Sequence, residues 1–203
     1  MKMTNGFVIC EYSKVKAEFP EFSSMMASLE NSLRLKADAD WSPLSYGGIK
    51  PMAGQYGKTT IMPEMFVGYG GFGVGTQLVT WNQLFTTTGN ATLIEGNSTG
   101  GSIPEDFKMG FAGIAFLDKA IKVSEIKLQI GDKKLPRINL EEARAYQQPA
   151  IIFENGFIAD EDTGFELQGY VECRGYQRIK LIGMQLNRVP NKLQVSLTGA
   201  AIT

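Results

Sequence analysis

Short β-favouring segments separated by turn residues fill the chain after residue 76, and they constrain its fold more than any other feature. The segments with this pattern are Gln77–Phe85, Ala91–Glu95, Phe111–Leu117, Ile121–Ile130, Ala150–Phe153, Phe165–Arg174, Tyr176–Leu186 and Lys192–Leu197. In the last two, apolar residues alternate at period two, as in strands with one buried face. The residues between them, Val189-Pro190-Asn191, predict a hairpin. This spacing, without an alternation of strands and helices, predicts an all-β fold, an antiparallel β-sandwich or barrel.

One amphipathic helix precedes the strand series and spans about residues 21 to 36. Phe22, Met25, Met26, Leu29 and Leu33 recur at helical spacing and form a single apolar stripe. The stripe predicts packing on a protein core or on a neighbouring subunit. A membrane-surface helix is the alternative, although the polar face has few of the Lys and Arg residues that such helices favour.

The chain is expected to form one domain with an N-terminal extension. Residues 1–58 are interpreted as an arm that contains the helix and an irregular connection rich in Gly and Pro, and residues 59–203 as the β-sandwich domain. A short strand is predicted over residues 7–12. Asn139 and Glu142 resemble a capping box, so a short inserted helix is predicted over about residues 139–147.

The chain contains no histidine. Histidine is the usual general base and a frequent metal ligand, so its absence excludes Ser-His-Asp and Cys-His catalysis and most zinc sites. The G-x-S-x-G elbow and the phosphate-binding G-K-[ST] loop are also absent. An enzyme that uses only carboxylates stays open, but no pair is singled out. We therefore expect no enzymatic activity, no cofactor, and no catalytic, cofactor-binding or metal-ligating residues.

Two local patterns could form ligand-binding sites, but each is better explained without a ligand. Gly68, Gly70 and Gly73 match G-x-G-x-x-G, but a dinucleotide site needs a following helix, and the next residues favour a strand. The Asp160-Glu161-Asp162 cluster has the oxygen ligands that Ca²⁺ prefers, but the EF-hand spacing is missing and a solvated turn between two strands explains the cluster without a metal. Asp38 and Asp40 are read as solvated loop residues beyond the helix.

Charge and cysteine content give further limits. The net charge of −1 provides no basic excess for phosphates, so sequence-specific nucleic-acid binding is not expected. Cys10 and Cys173 lie in apolar stretches and are predicted to be buried free thiols, with a single disulfide as the alternative. Asn90 and Asn97 begin N-glycosylation sequons, which indicate an exposed loop.

The strand series from Gln77 to Leu197, the inserted helix near Asn139–Gln147 and the closing pair YQRIKLIGMQL and KLQVSL resemble the jelly-roll capsid proteins of tailless icosahedral viruses. The resemblance implies a single jelly roll and a structural protein that self-assembles as a viral capsid subunit. It implies that the partners are copies of the chain in a large homo-oligomeric assembly, with other virion proteins and an internal membrane as further contacts.

The resemblance also implies a location in the virion. The N-terminal apolar run is short and is interrupted by Glu11 and Lys14, so we predict no signal peptide and synthesis in the host cytoplasm. Two alternative functions remain open at this point. One is a filament, tail or pilus-like structural subunit. The other is a carbohydrate-binding β-sandwich module that presents Trp41, Trp81 or a tyrosine on an exposed platform.

Overall fold

The computed structural model of the chain describes residues 6–41, 56–68 and 80–188. Its strands are β1 (Phe7–Glu11), β2 (Tyr56–Thr60), β3 (Phe66–Gly68), β4 (Asn82–Phe85), β5 (Gly89–Gly96), β6 (Phe107–Phe116), β7 (Val123–Ile130), β8 (Lys133–Lys134), β9 (Ile138–Asn139), β10 (Pro149–Ala159), β11 (Phe165–Val171) and β12 (Gly175–Arg188). Its α-helices are α1 (Val15–Glu18) and α2 (Phe22–Asp40), and short 3-10 turns cover Tyr12–Lys14, Pro63–Met65 and Glu142–Ala145.

The strands form two antiparallel sheets that pack face to face. Sheet A has the order β1-β10-β6-β12-β2, and β4 pairs with the first residues of β12. Sheet B has the order β3-β5-β11-β7-β8, and β9 pairs with β7. The prediction of an all-β antiparallel sandwich is therefore confirmed.

The main core lies between the two sheets and is rich in aromatic side chains. Phe111 of sheet A lies 5.7 Å from Phe153 and 5.5 Å from Phe165 between ring centroids, and Phe66 lies 5.3 Å from Phe165. Period-two alternation places these residues on the inner faces, as in Phe165, Leu167 and Val171 of β11, which are all fully buried. Burial of this apolar surface is the main stabilising term of the fold.

Helix α2 covers the outer face of sheet A. Its buried residues Met25, Leu29, Leu33 and Ala37 recur every fourth position and pack toward β6, β10 and β12. Close approach depends on a glycine in β6, because a Cβ at Gly110 would lie 3.1 Å from Cγ of Leu29. The predicted helix is thus present, and its stripe packs on the sheet of its own chain.

Several predicted boundaries shift in the structure. Helix α2 continues to Asp40, so the reading of Asp38 and Asp40 as loop residues is wrong. The helix predicted over residues 139–147 is reduced to the 3-10 turn Glu142–Ala145, and the Asn139 side chain accepts a 2.7 Å hydrogen bond from the Glu141 amide. That contact caps a local turn, and Asn139 itself pairs in β9.

The segments predicted as arm and sandwich share one sheet. Strand β1 pairs with β10, and β2, which pairs with β12, spans the predicted boundary at residue 58. Strands β2, β3, β8 and β9 were not among the predicted segments. The predicted hairpin at 189–191, the strand at 192–197 and residues 77–79 lie outside the described residues.

Candidate functional site

A buried lysine lies beneath the C-terminal end of α2. Lys108, near the start of β6, is only 1% exposed. Its Nζ atom lies 2.7 Å from Oδ2 of Asp40, 3.2 Å from Oδ1 of Asp160 and 3.9 Å from Oε1 of Glu161. A buried ammonium requires such carboxylates, because the desolvation of an isolated charge costs several kcal/mol. The lysine therefore ties the end of α2 to the turn between β10 and β11.

Trp41 completes this charged cluster. Its indole Nε1 donates a 3.1 Å hydrogen bond to Oε1 of Glu161, and its ring centroid lies 5.2 Å from Nζ of Lys108. The second Glu161 oxygen accepts a 3.1 Å hydrogen bond from the Asp106 amide. We call Asp40, Trp41, Lys108, Asp160 and Glu161 the Lys108 cluster. It joins α2, β6 and the β10–β11 turn at one end of the sandwich.

The cluster bears on two sequence predictions, the exposed platform at Trp41 and the acidic cluster at residues 160–162. Trp41 is only 1% exposed, so it forms no exposed platform. Asp160 and Glu161 face Lys108, and Asp160 also pairs with Lys36 at 2.6 Å. This hydrogen bond raises the pKa of Lys36 above its usual range. Within the described ranges, no group of three or more acidic or Cys side chains is arranged to hold a metal ion.

The outer face of sheet B carries polar side chains in three rows. Tyr170 of β11 lies between Asn90 and Glu125, Gln168 between Thr92 and Lys127, and Glu166 between Glu95 and Gln129. In β11, Glu166, Gln168 and Tyr170 alternate with the buried residues Phe165, Leu167, Gly169 and Val171. No described helix packs on this face.

A depression of about 210 Å³ lies in this face, and we call it the sheet B pocket. Its lining includes Asn90, Thr92, Glu125, Lys127, Arg137 and Gln168. At its border the Thr92 hydroxyl and the Gln168 amide donate hydrogen bonds of 2.7 and 2.8 Å to one oxygen of Glu166. Arg137 pairs with Glu125 at its rim. The arrangement can donate and accept hydrogen bonds at fixed positions.

Strand β1 forms one edge of sheet A. Gly6 accepts a hydrogen bond from the Glu154 amide, and Tyr12 donates one to Gln148, so even-numbered residues face β10. Phe7, Ile9 and Glu11 therefore direct their backbone groups outward. The Glu11 amide is bonded to the Glu18 side chain at 3.2 Å. In the described part of the chain no strand pairs with the outward groups of Phe7 and Ile9.

The two cysteines differ in environment. Both are free, so the disulfide alternative is wrong. Cys10 is buried beneath the helices, and this burial, helped by the negative charge of Glu18, raises its thiol pKa to about 11. Cys173 is exposed, which corrects the prediction that it is buried. It lies two residues beyond Val171, the last residue of β11.

The remaining sequence candidates do not converge on one site. Trp81 is half-buried against the core, with its ring centroid 6.0 Å from that of Phe66. Gly68 ends β3, while Gly70 and Gly73 lie outside the described residues. Asn90 and Asn97 are exposed, in β5 and just after it. Among the described helices, none has the length and apolar character needed to cross a bilayer.

Lys108 and the sheet B pocket were missed at the level of sequence. Lys108 had a usable signal, because it is the single charged residue within the apolar segment FKMGFAGIAF. The sheet B pocket had none, because its residues come from separate strands whose register the sequence does not specify. Comparison of the chain with protein-family models, with curated proteins and with solved structures found no match.

Proposed function

We propose that this chain is a single jelly-roll structural protein that self-assembles as a viral capsid subunit. The observation that carries the proposal is the nesting of the strand pairs. In a jelly roll, eight strands pair as a folded-over hairpin, first with last and so on inward, and they divide between two sheets. Here β2 pairs with β12, β5 with β11, β6 with β10, and β7 with β8.

The division of these strands between the sheets also supports a jelly roll. Sheet A contains the consecutive order β2-β12-β6-β10, and sheet B contains β5-β11-β7-β8. Among these eight strands the chain therefore changes sheet at nearly every connection, and only β7 and β8 follow each other within one sheet. Strands β1, β3, β4 and β9 add to this arrangement at its edges.

The open edge of β1 supports contact between copies. Exposed strand edges pair with other chains unless charges, proline or a cover prevent it. Phe7 and Ile9, whose backbone groups point away from β10, carry no charge, and the Phe7 side chain is exposed. Glu18 blocks only the Glu11 end of the edge. We therefore assign the β1 edge as one contact surface between subunits.

Sedimentation velocity of the purified chain and of two variants at Ile9 tests the proposal. Ile9→Pro removes an outward amide while leaving the inward bonds to β10, a change that edge strands tolerate. Ile9→Ala removes the same side chain but keeps the amide. We expect wild type and Ile9→Ala to sediment as large assemblies and Ile9→Pro to sediment mainly as smaller species.

Two results would count against this account. A wild-type chain that stays a 22.3 kDa monomer at high concentration across salt and pH would contradict the assembly function. Equal assembly of Ile9→Pro and Ile9→Ala would remove the β1 edge from the contact surface and leave the rest of the proposal standing. Circular dichroism of both variants controls for loss of fold.

A further inference from the structure

We propose that the sheet B pocket binds a neutral saccharide. The proposal depends only on the outer face of sheet B and holds whether or not the chain assembles. Its basis is a concave site, side chains with matched hydrogen-bonding chemistry, an exposed aromatic ring and nearly balanced charge.

The polar lining suits a ligand rich in hydroxyl groups. A hydroxyl both donates and accepts hydrogen bonds, and the amides of Asn90 and Gln168 can do the same. The hydroxyl of Thr92 donates its one proton to Glu166 and can accept a hydrogen bond from the ligand. Gln168 and Thr92 are already oriented, because both donate to the same Glu166 oxygen. Side chains held in place in this way lose little conformational freedom on binding, which favours affinity.

Tyr170 supplies an apolar surface beside these polar groups. It is 42% exposed, and its Cα lies opposite those of Asn90 and Glu125, which both line the pocket. The ring of a tyrosine is apolar while its hydroxyl is polar, so such side chains serve well at wet binding surfaces. The C–H groups on one face of a sugar ring can pack on it while the hydroxyls reach Gln168 and Thr92.

Charge and size narrow the ligand class. The face carries the carboxylates Glu95, Glu125 and Glu166 and the cations Lys127 and Arg137, so it is close to neutral. Arg137 is already paired with Glu125. An anionic sugar would therefore find no free basic cluster. The volume of about 210 Å³ lies below the roughly 300 Å³ at which pockets for drug-sized ligands begin, which favours one or two sugar rings over a long chain.

A glycan array probed with the full-length protein tests the proposal. The array presents neutral glycans ending in glucose, galactose or mannose, together with glycans ending in sialic acid. The protein is produced in a bacterium without N-glycosylation, so that Asn90, which lines the pocket, carries no sugar of its own. We expect binding to at least one neutral class and no preference for the sialylated members.

Variants locate the binding on the molecule. Tyr170→Ala and Gln168→Ala should each weaken affinity for that glycan at least about tenfold, since each loses a principal contact. Tyr176→Ala is the matched control, because Tyr176 is 62% exposed but belongs to β12 of sheet A. It should bind as wild type does. Thermal melts of all three variants show whether they remain folded.

Four outcomes would overturn the proposal. They are no binding to any neutral glycan, binding only to sialylated glycans, equal losses in Tyr170→Ala and Tyr176→Ala, and loss of assembly in the folded Tyr170→Ala variant with glycan binding intact. The last would identify the face as a contact between copies of the chain. None of these outcomes alters sedimentation of the wild type, so failure here is distinguishable from failure of the assembly proposal.

Discussion

The two outer faces of the sandwich have opposite chemistry. The outer face of sheet A is apolar where α1 and α2 cover it, with Cys10, Ala112, Ala150, Ile152 and Ile182 buried beneath the helices. The outer face of sheet B carries alternating polar residues and has no helix over it among the described residues. An antiparallel sheet tolerates water on one face only if that face is polar.

The difference shows which parts of the surface are free for partners. The apolar stripe of α2 packs on sheet A of its own chain. It therefore does not supply the contact with a neighbouring subunit that its sequence allowed. Within residues 6–41, 56–68 and 80–188, no other element covers the β1 edge, the sheet B face or the outer side of α2. We propose the β1 edge as the surface for assembly and the sheet B face as the surface for ligand binding.

Opposite sides of α2 provide the strongest test of this comparison. Leu33 is fully buried on sheet A, whereas Leu35 is 71% exposed on the same helix. Leu33→Ala should lower the free energy of unfolding by about 2–5 kcal/mol because it leaves a cavity. Leu35→Ala should change it by about 0.5 kcal/mol or less. Urea unfolding monitored by circular dichroism measures both values.

Equal changes in the free energy of unfolding for Leu33→Ala and Leu35→Ala would contradict the difference between the two sides of α2. Equal small effects would mean that α2 is not part of the subunit core and serves as a detached arm. A large effect of Leu35→Ala on assembly, without an effect on unfolding, would instead place a subunit contact on the outer side of α2.

The Lys108 cluster should hold the C-terminal end of α2 against sheet A. Lys108→Met removes the buried cation and leaves Asp40, Asp160 and Glu161 without it, which should cost about 2–3 kcal/mol because these carboxylates are partly exposed. Lys36→Met removes a half-exposed partner of Asp160 and should cost about 1 kcal/mol or less. The same unfolding experiment compares them, and a Lys36 effect as large as that of Lys108 would contradict the buried role.

The two cysteines report on the covered and uncovered regions separately. A thiol reagent at pH 8 should label Cys173 in the native protein and both cysteines only after denaturation, since Cys10 lies under the cover. Labelling of both thiols in the native protein would show that α1 and α2 move away from Cys10 readily.

The raised pKa of Cys10 also predicts a loss of stability in alkali. In the unfolded chain the thiol ionises near its ordinary pKa of 9.0, while burial raises the pKa in the folded protein to about 11. Stability should therefore fall by about 1.4 kcal/mol per pH unit between these values. Cys10→Ala should remove that part of the slope, and an unchanged slope would contradict the burial of the thiol.

The sequence predicted the elements with strong periodicity and missed those defined by pairing alone. The stripe of α2 and the alternation in β12 are local patterns, so both were predictable. Strand β2 (YGKTT) has no apolar alternation and exists because β12 pairs with it. Strand β10 continues to Ala159 through a bulge that contains Gly156, whose φ is 60°. Glycine is typical of turns, so the sequence predicted that the strand ends before this position.

The candidate sites were less predictable than the fold. The Lys108 cluster joins residues from α2, β6 and the β10–β11 turn, and the sheet B pocket depends on the register of three strands. Such juxtapositions are tertiary, and a single chain carries no local signal for them. The acidic run at residues 160–162 was visible, but its partner Lys108 lies in a distant strand.

Electron microscopy of negatively stained, purified protein tests the central claim of a self-assembling jelly-roll subunit most directly. We expect closed, hollow particles of uniform diameter without added metal or cofactor. Open filaments would retain self-assembly but contradict a capsid, because head-to-tail contacts that do not close generate fibres. A field without particles larger than the 22.3 kDa monomer, from a sample taken at the highest concentration of the sedimentation experiment and diluted just before staining, would contradict self-assembly altogether.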